Sequence, residues 1–244
     1  DHFISPSLFL KQRYVDWGIQ PRLISVLENL PLSKGVELQA ENNFALELSQ
    51  EKSVVSFAYF GQFNYWKGID IVLEAFMCVL DKYPDVHLEL HGVSNEMLQS
   101  PENCHDPTFA KRCSDLIHKL PQGSIHLMNA YEPEELTSRM KGIDVALMAS
   151  RWYENAPMVI QEAFMNGVSV VAPGYGGMAE KIEHKQNGLL YQQGNVSGLI
   201  QCMIWIMQNK DQLEPLKLNS FNSRLHFEDI MINHLSLYQQ LIQS

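Results

Sequence analysis

After about residue 50 the chain alternates short β-rich runs with segments whose apolar residues recur at helical spacing. This alternation constrains the fold more than any other feature. "SVVSFAYFG" (53–61) reads as a strand stopping at glycine. "GIDIVLEAFMCVLDKYP" (68–84) sets Ile69, Val72, Leu73, Phe76, Val79 and Leu80 on one helical side before Pro84 ends it. "VHLELHGV", "SIHLMNAY", "VSVVAP" and "NGLLYQ" read as further strands, and "IDVALMAS" is almost wholly apolar, as in the buried middle of a parallel sheet. Between them, "PTFAKRCSDLIHKLP", "EPEELTSRMKG", "PMVIQEAFMNG", the short "GMAEKIEH" and "NVSGLIQCMIWIMQN" read as helices. The pattern predicts an α/β fold: a Rossmann-like, doubly wound parallel sheet flanked by helices, with ligands at the carboxyl ends of its strands.

Two flanks lie outside the alternation. Residues 1–30 hold a strand stub, a helix and another strand, and "FEDIMINHLSLYQQLI" forms an amphipathic helix with Ile230, Leu235, Tyr238, Leu241 and Ile242 on one side. A formal net charge of −10 excludes general nucleic-acid binding but not a small anion held by local amides and a few cations. The four cysteines are scattered and form no CxxC pair, which fits a reducing compartment. Cys104, His105, Cys113 and His118 match no common zinc spacing, so no metal is expected. No leader precedes Asp1, and the apolar run 199–207 is too short to span a bilayer, so the expected location is cytoplasmic.

Three loops at one edge of the sheet carry the candidate chemistry. In "FGQFNYWKGIDI", Gly61 lets the backbone turn, Lys67 supplies a cation, and the helix amides beyond Gly68 attract anions. The segment reads as a diphosphate cradle or as an ordinary βα junction; it matches neither the Walker loop nor GxGxxG. In "ENAPMVIQEAF", Asn155 suits a helix cap and Pro157 its first turn, and the amides from Asn155 through Ala156 and Pro157 to Met158 would face out of the sheet edge. Glu154 precedes that helix and Glu162 lies about one and a half turns inside it. The two could simply serve the helix dipole and a solvated face, but Glu162 sits among Ile160, Ala163 and Phe164. A carboxylate there requires a polar partner, and sugar hydroxyls would serve. "APGYGGMAE" offers glycines for close backbone approach to a ligand, or only a tight turn.

Taken in order, "FGQFNYWKGID", Glu154-x7-Glu162, "NGVSVVAPGYGGMAEKI", "NGLLY" and the closing "LYQQLI" resemble the retaining glycosyltransferases of the GT-B fold, family 4 (group 1), over most of the chain. The resemblance implies that a nucleotide-diphosphate sugar is the substrate, with no metal or other cofactor. It implies that Glu162 binds the ribose and that Glu154 faces the sugar near the reacting carbon. Asn155 to Met158 would hold sugar hydroxyls or phosphate, and Lys67, beside Gly61 and Gln62, would neutralise the diphosphate. Tyr131 would stack near the base. Residues 1–30 would be a remnant of the acceptor domain and crossover, 31–224 the donor-binding domain, and 225–244 the crossover helix that packs back on the acceptor domain. The implied partners are a carbohydrate or lipid-linked acceptor and the missing N-terminal domain, which usually supplies a histidine. Peripheral contact with the inner face of a membrane is allowed by analogy, though no basic amphipathic helix supports it.

Two departures from the family pattern stand out. The family usually has arginine where this chain has Gln62, and losing one of two charged contacts would cost about 1.5–3 kcal/mol of anion binding. Arg151 is the candidate substitute. The missing acceptor domain predicts exposed apolar surface and no transfer by this chain alone. A non-catalytic GT-B-like binding or scaffold module is the alternative, and a nicotinamide dehydrogenase is disfavoured by the lack of GxGxxG.

Overall fold

The structure, a computed structural model, describes residues 2–29, 34–47, 54–100, 102 and 104–243. All six strands predicted after residue 50 form: β3 (Val55–Phe60), β4 (Val86–His91), β5 (Ile125–Met128), β6 (Val145–Leu147), β7 (Ser169–Pro173) and β8 (Gly188–Tyr191). They join in one sheet in the order β5-β4-β3-β6-β7-β8, and every pairing is parallel. The order reverses between β3 and β6, so the loops that leave these two strands diverge and open a crevice at the carboxyl edge.

Successive residues of a strand point to opposite faces, and β3 shows the result. Phe57 and Tyr59 join a core beneath α3 (Ile69–Leu80), α5 (Pro107–Ile117) and α9 (Val196–Gln208). Ala58 and Phe60 join a second core with α6 (Leu136–Met140), α7 (Met158–Met165) and α8 (Gly176–Lys181). Phe57, Phe76, Leu88 and Phe164 are fully buried, each burial contributing about 1.5–3 kcal/mol before entropy. β3, β6 and β7 are buried along their whole length because both faces are covered, whereas β4 alternates, with His87 and Glu89 only partly buried.

The N-terminal flank follows its predicted strand–helix–strand order: β1 (Phe3–Ser5), α1 (Leu8–Asp16) and β2 (Ile24–Val26). β1 and β2 form a separate parallel pair. Ser7 caps α1 by accepting from the Leu10 amide, and Glu180 of α8 accepts from the Leu8 and Phe9 amides. At the other flank, α11 (Phe227–Gln243) buries only Ile230, while Leu235, Tyr238 and Leu241 are exposed and Ile242 is 84% exposed.

Three helices were not anticipated: α2 (Lys34–Glu47), α4 (Asn95–Gln99) and α10 (Leu213–Asn222). α10 docks largely through polar groups. Lys217 reaches the buried Asp144 at 3.1 Å, and the Ser220 hydroxyl donates to the Asn187 carbonyl at 2.7 Å. α2 adds Phe44, stacked on Phe221 of α10 at 4.3 Å.

Candidate active site

Each element of the site begins with a backbone requirement. After β3, the Asn64 side chain accepts from the Lys67 amide at 3.0 Å and closes a 3-10 turn over Tyr65–Lys67. Gly68 follows at φ +71°, and a Cβ there would meet the Ala149 carbonyl oxygen at 2.0 Å. Only glycine lets α3 begin against the end of β6. The consequence is that Lys67 Nζ donates to Glu154 Oε1 at 2.6 Å, joining two residues that the sequence reading assigned to different groups of a ligand. Ser150 Oγ donates to the same oxygen at 2.7 Å. The Glu154 side chain is only 12% exposed, so this pairing supplies the partners its burial requires.

The loop from Met148 to Pro157 is braced from several directions. Tyr191 Oη donates to the Met148 carbonyl at 2.8 Å, Tyr175 Oη to those of Ser150 and Trp152, and Gln193 Nε2 to that of Arg151 at 2.6 Å. The Gly177 amide donates to the Glu154 carbonyl at 2.7 Å, and a Cβ on Gly177 would meet the Asn155 oxygen at 2.0 Å. The glycines of "APGYGG" thus approach the loop that carries Glu154 rather than open space. Asp70 supplies the deepest brace: fully buried in α3, it takes two bonds from the Arg151 guanidinium, at 2.8 and 2.7 Å. Arg151 also lies over the Tyr65 ring at 4.1 Å. Its guanidinium is thus committed to Asp70 and to the Tyr65 carbonyl, at 2.6 Å, and acts as a strut. Gln62 itself is exposed, its side-chain oxygen accepting from Asn64 Nδ2 at 3.3 Å.

α7 begins at Met158, later than expected. Pro157 stands at its cap with extended backbone, and no side chain bonds the cap, so Asn155 is not the capping residue. Proline has no N–H, so of the four positions only Asn155, Ala156 and Met158 offer amides, and none of these has an acceptor among the described residues. Glu162 is half-buried on α7, and no described residue hydrogen-bonds its carboxylate. Burial pushes its pKa up to about 7. Tyr131, just after β5, is pushed up to about 12, first by burial and then by the charge of Glu162, and it packs on the core to which α7 contributes Ile160, Ala163 and Phe164. The Tyr131 ring meets Phe60 and His91 edge-on and has Arg139 5.8 Å above it. Gly61 lies at the end of β3, its amide bonded to the His91 carbonyl at 3.2 Å. The structure therefore joins Lys67 to Glu154 in a direct ion pair, while Tyr131 packs on the core that α7 completes.

Sequence reasoning missed Asp70, Ser150, Tyr175, Tyr191 and Gln193, whose hydrogen bonds hold the loop in place. The one available signal was tyrosine directly after or at the end of an apolar strand. Cys104, His105, Cys113 and His118 gather no metal site: Cys113 is buried in the core and His118 bonds the Ser114 carbonyl at 2.7 Å. Among the described residues one group, Glu37, Glu41 and His226, brings metal-type ligand atoms within 4.8 Å of one another. Glu37 already accepts from His226 and the Phe227 amide, and Glu41 from Arg224, which accounts for the group as the seat of α11.

Residues 39–222 match the family described as "Glycosyl transferases group 1". The chain belongs to the group 1 glycosyltransferases. An uncharacterised glycosyltransferase of Haemophilus influenzae is 25% identical over 187 residues, 76% of this chain and 47% of that protein. A glycosyltransferase from Rickettsia africae superimposes with a TM-score of 0.78 at 18% identity, covering all of this chain and 64% of the other. Anabaena HepE, solved in complex with UDP-glucose, gives 0.74 at 19% identity, over 97% of this chain and 63% of that one. The group 1 chain spans about half the length of the curated relatives it matches, and its sheet is one Rossmann-like half of the GT-B fold. No described helix is long and apolar enough to cross a membrane.

Proposed function

We propose that this chain is the donor-binding half of a retaining glycosyltransferase that moves a sugar from a nucleotide-diphosphate sugar to a carbohydrate or lipid-linked acceptor. The observation that carries the reading is the Lys67–Glu154 pair at the point where strand order reverses, beside amides and a Glu162 carboxylate that have no hydrogen-bond partner among the described residues. Glu162 accepts the ribose hydroxyls. Tyr131 stacks near the base. The diphosphate takes Lys67 and the amides of Asn155, Ala156 and Met158, which frees the Glu154 carboxylate to face the sugar. When the anomeric C–O bond breaks, its electron pair leaves with the diphosphate. Lys67 and the amides stabilise that growing negative charge, and Glu154 the positive character left on carbon. No metal is needed in this scheme. Residues 1–30 are a remnant of the acceptor domain and the crossover, 225–244 the crossover helix, and their exposed apolar side chains face an acceptor domain that completes transfer.

A second reading, a binding or scaffold module without catalysis, is favoured by one observation: Gln62 brings no charge and Arg151 is engaged elsewhere. Thermal-shift titration with UDP, GDP, ADP and their sugar conjugates separates the two. The donor reading expects stabilisation by one nucleotide, lost in Glu162→Ala and Lys67→Ala and strengthened in Gln62→Arg. No shift with any nucleotide, in the wild type or in Gln62→Arg, would leave the scaffold reading standing.

A further inference from the structure

The loop that carries Lys67 also walls a second cavity. Phe63, Tyr65, Trp66 and Phe109 line a cleft of about 480 Å³ whose rim holds Asn64 and His105. The volume falls within the range of small-molecule sites, roughly 300–1,000 Å³. The rings pack on one another, Phe63 to Phe109 at 5.6 Å and Tyr65 to Phe109 at 5.9 Å, which holds the lining in place. Trp66 is nevertheless 53% exposed. It lies nearly parallel to Trp152, itself 49% exposed, with 6.1 Å between ring centroids. The Trp152 indole N–H points to Glu154 Oε1 at 3.4 Å. A continuous aromatic ledge therefore runs from the cleft to the carboxylate assigned to the reacting sugar.

Half-exposed indoles contribute little to a core, and adjoining ones mark a binding surface. The chemistry of the ledge selects among ligands. The negative face of an aromatic ring attracts the partly positive C–H bonds on one face of a pyranose, while its hydroxyls reach polar groups at the rim. Among the described residues the cleft is lined by no lysine or arginine and does include Asp106, so a phosphate or carboxylate is disfavoured there. We propose that this cleft binds sugar units of a neutral oligosaccharide acceptor, with Trp66 as the stacking platform. The assignment of the bound sugar as acceptor rests on the transfer reading above; the sugar-binding cleft itself does not.

The test uses saturation-transfer NMR on the chain with maltotetraose, cellotetraose, mannotetraose and tetra-N-acetylchitotetraose. Nucleotide thermal shifts are recorded in parallel. At least one tetrasaccharide should bind, and Trp66→Ala should weaken it about tenfold, while Trp66→Phe keeps most of the affinity. The exposed side chain can be removed without touching the Trp66 carbonyl, which accepts from the Arg151 amide at 2.8 Å. The nucleotide shift should be the same in both variants. Binding of none of the four sugars, or binding indifferent to Trp66→Ala, overturns the proposal. If sugars bind through Trp66 while no nucleotide binds, the cleft stands and the donor reading fails.

Discussion

At the scale of single residues, Glu162 sets the most direct pH dependence. An unfolded glutamate titrates near its ordinary 4.5, and in the fold burial moves Glu162 to about 7. Between those values the native state holds a proton that the unfolded chain has lost. Stability contributed by this group is therefore greatest at acid pH and falls as the pH rises through that window, by on the order of 3 kcal/mol. Glu162→Gln should melt close to wild type at pH 5 and several degrees higher at pH 8. Equal melting differences at both pH values would show that the carboxylate is not held in an apolar setting. The destabilising site is the one expected to be relieved by ribose hydroxyls, so the same substitution should weaken nucleotide binding while it strengthens the fold.

Among elements, the loop from Met148 to Pro157 and helix α3 act as one unit because Arg151 and Asp70 join them. Removing one member of a buried ion pair costs about 3–5 kcal/mol, since the other is left buried and alone. Arg151→Ala should approach the lower end, because Arg112 lies 3.2 Å from Asp70. Denaturant unfolding should show Arg151→Ala strongly destabilised and Arg151→Met/Asp70→Asn partly restored; additive losses would refute the coupling. Much of this level was legible beforehand. Six strands and the helices α3, α5, α7 and α9 announced themselves through apolar periodicity, and Glu154, Glu162 and Lys67 through the spacing of charges around glycine and proline. What stayed hidden was polar docking. Lys217 on Asp144 and Ser220 on the Asn187 carbonyl fix α10 without an apolar stripe, and the loop before α7 is held by the hydroxyls of Tyr175 and Tyr191, partners distant in sequence.

At the level of the whole molecule, the apolar residues of α11 beyond Ile230 and the exposed Phe3, Ile4 and Leu8 are surface that no described residue covers. Leu235→Glu with Ile242→Glu should change the unfolding free energy by no more than about 0.5 kcal/mol, as for surface positions. It should also lower the binding of an apolar dye such as ANS. A large loss of stability would mean that α11 packs within this chain after all. The bracing of the Glu154 loop has its own consequence at this scale. Its contacts come from β3's following turn, from α3, and from the ends of β7 and β8, so the pocket has no existence apart from the assembled sheet. Recognition of a nucleotide then reports on the completeness of folding: a chain with β8 undocked should be blind to the ligand, and a bound ligand should slow hydrogen exchange in strands far from it as well as in those that touch it.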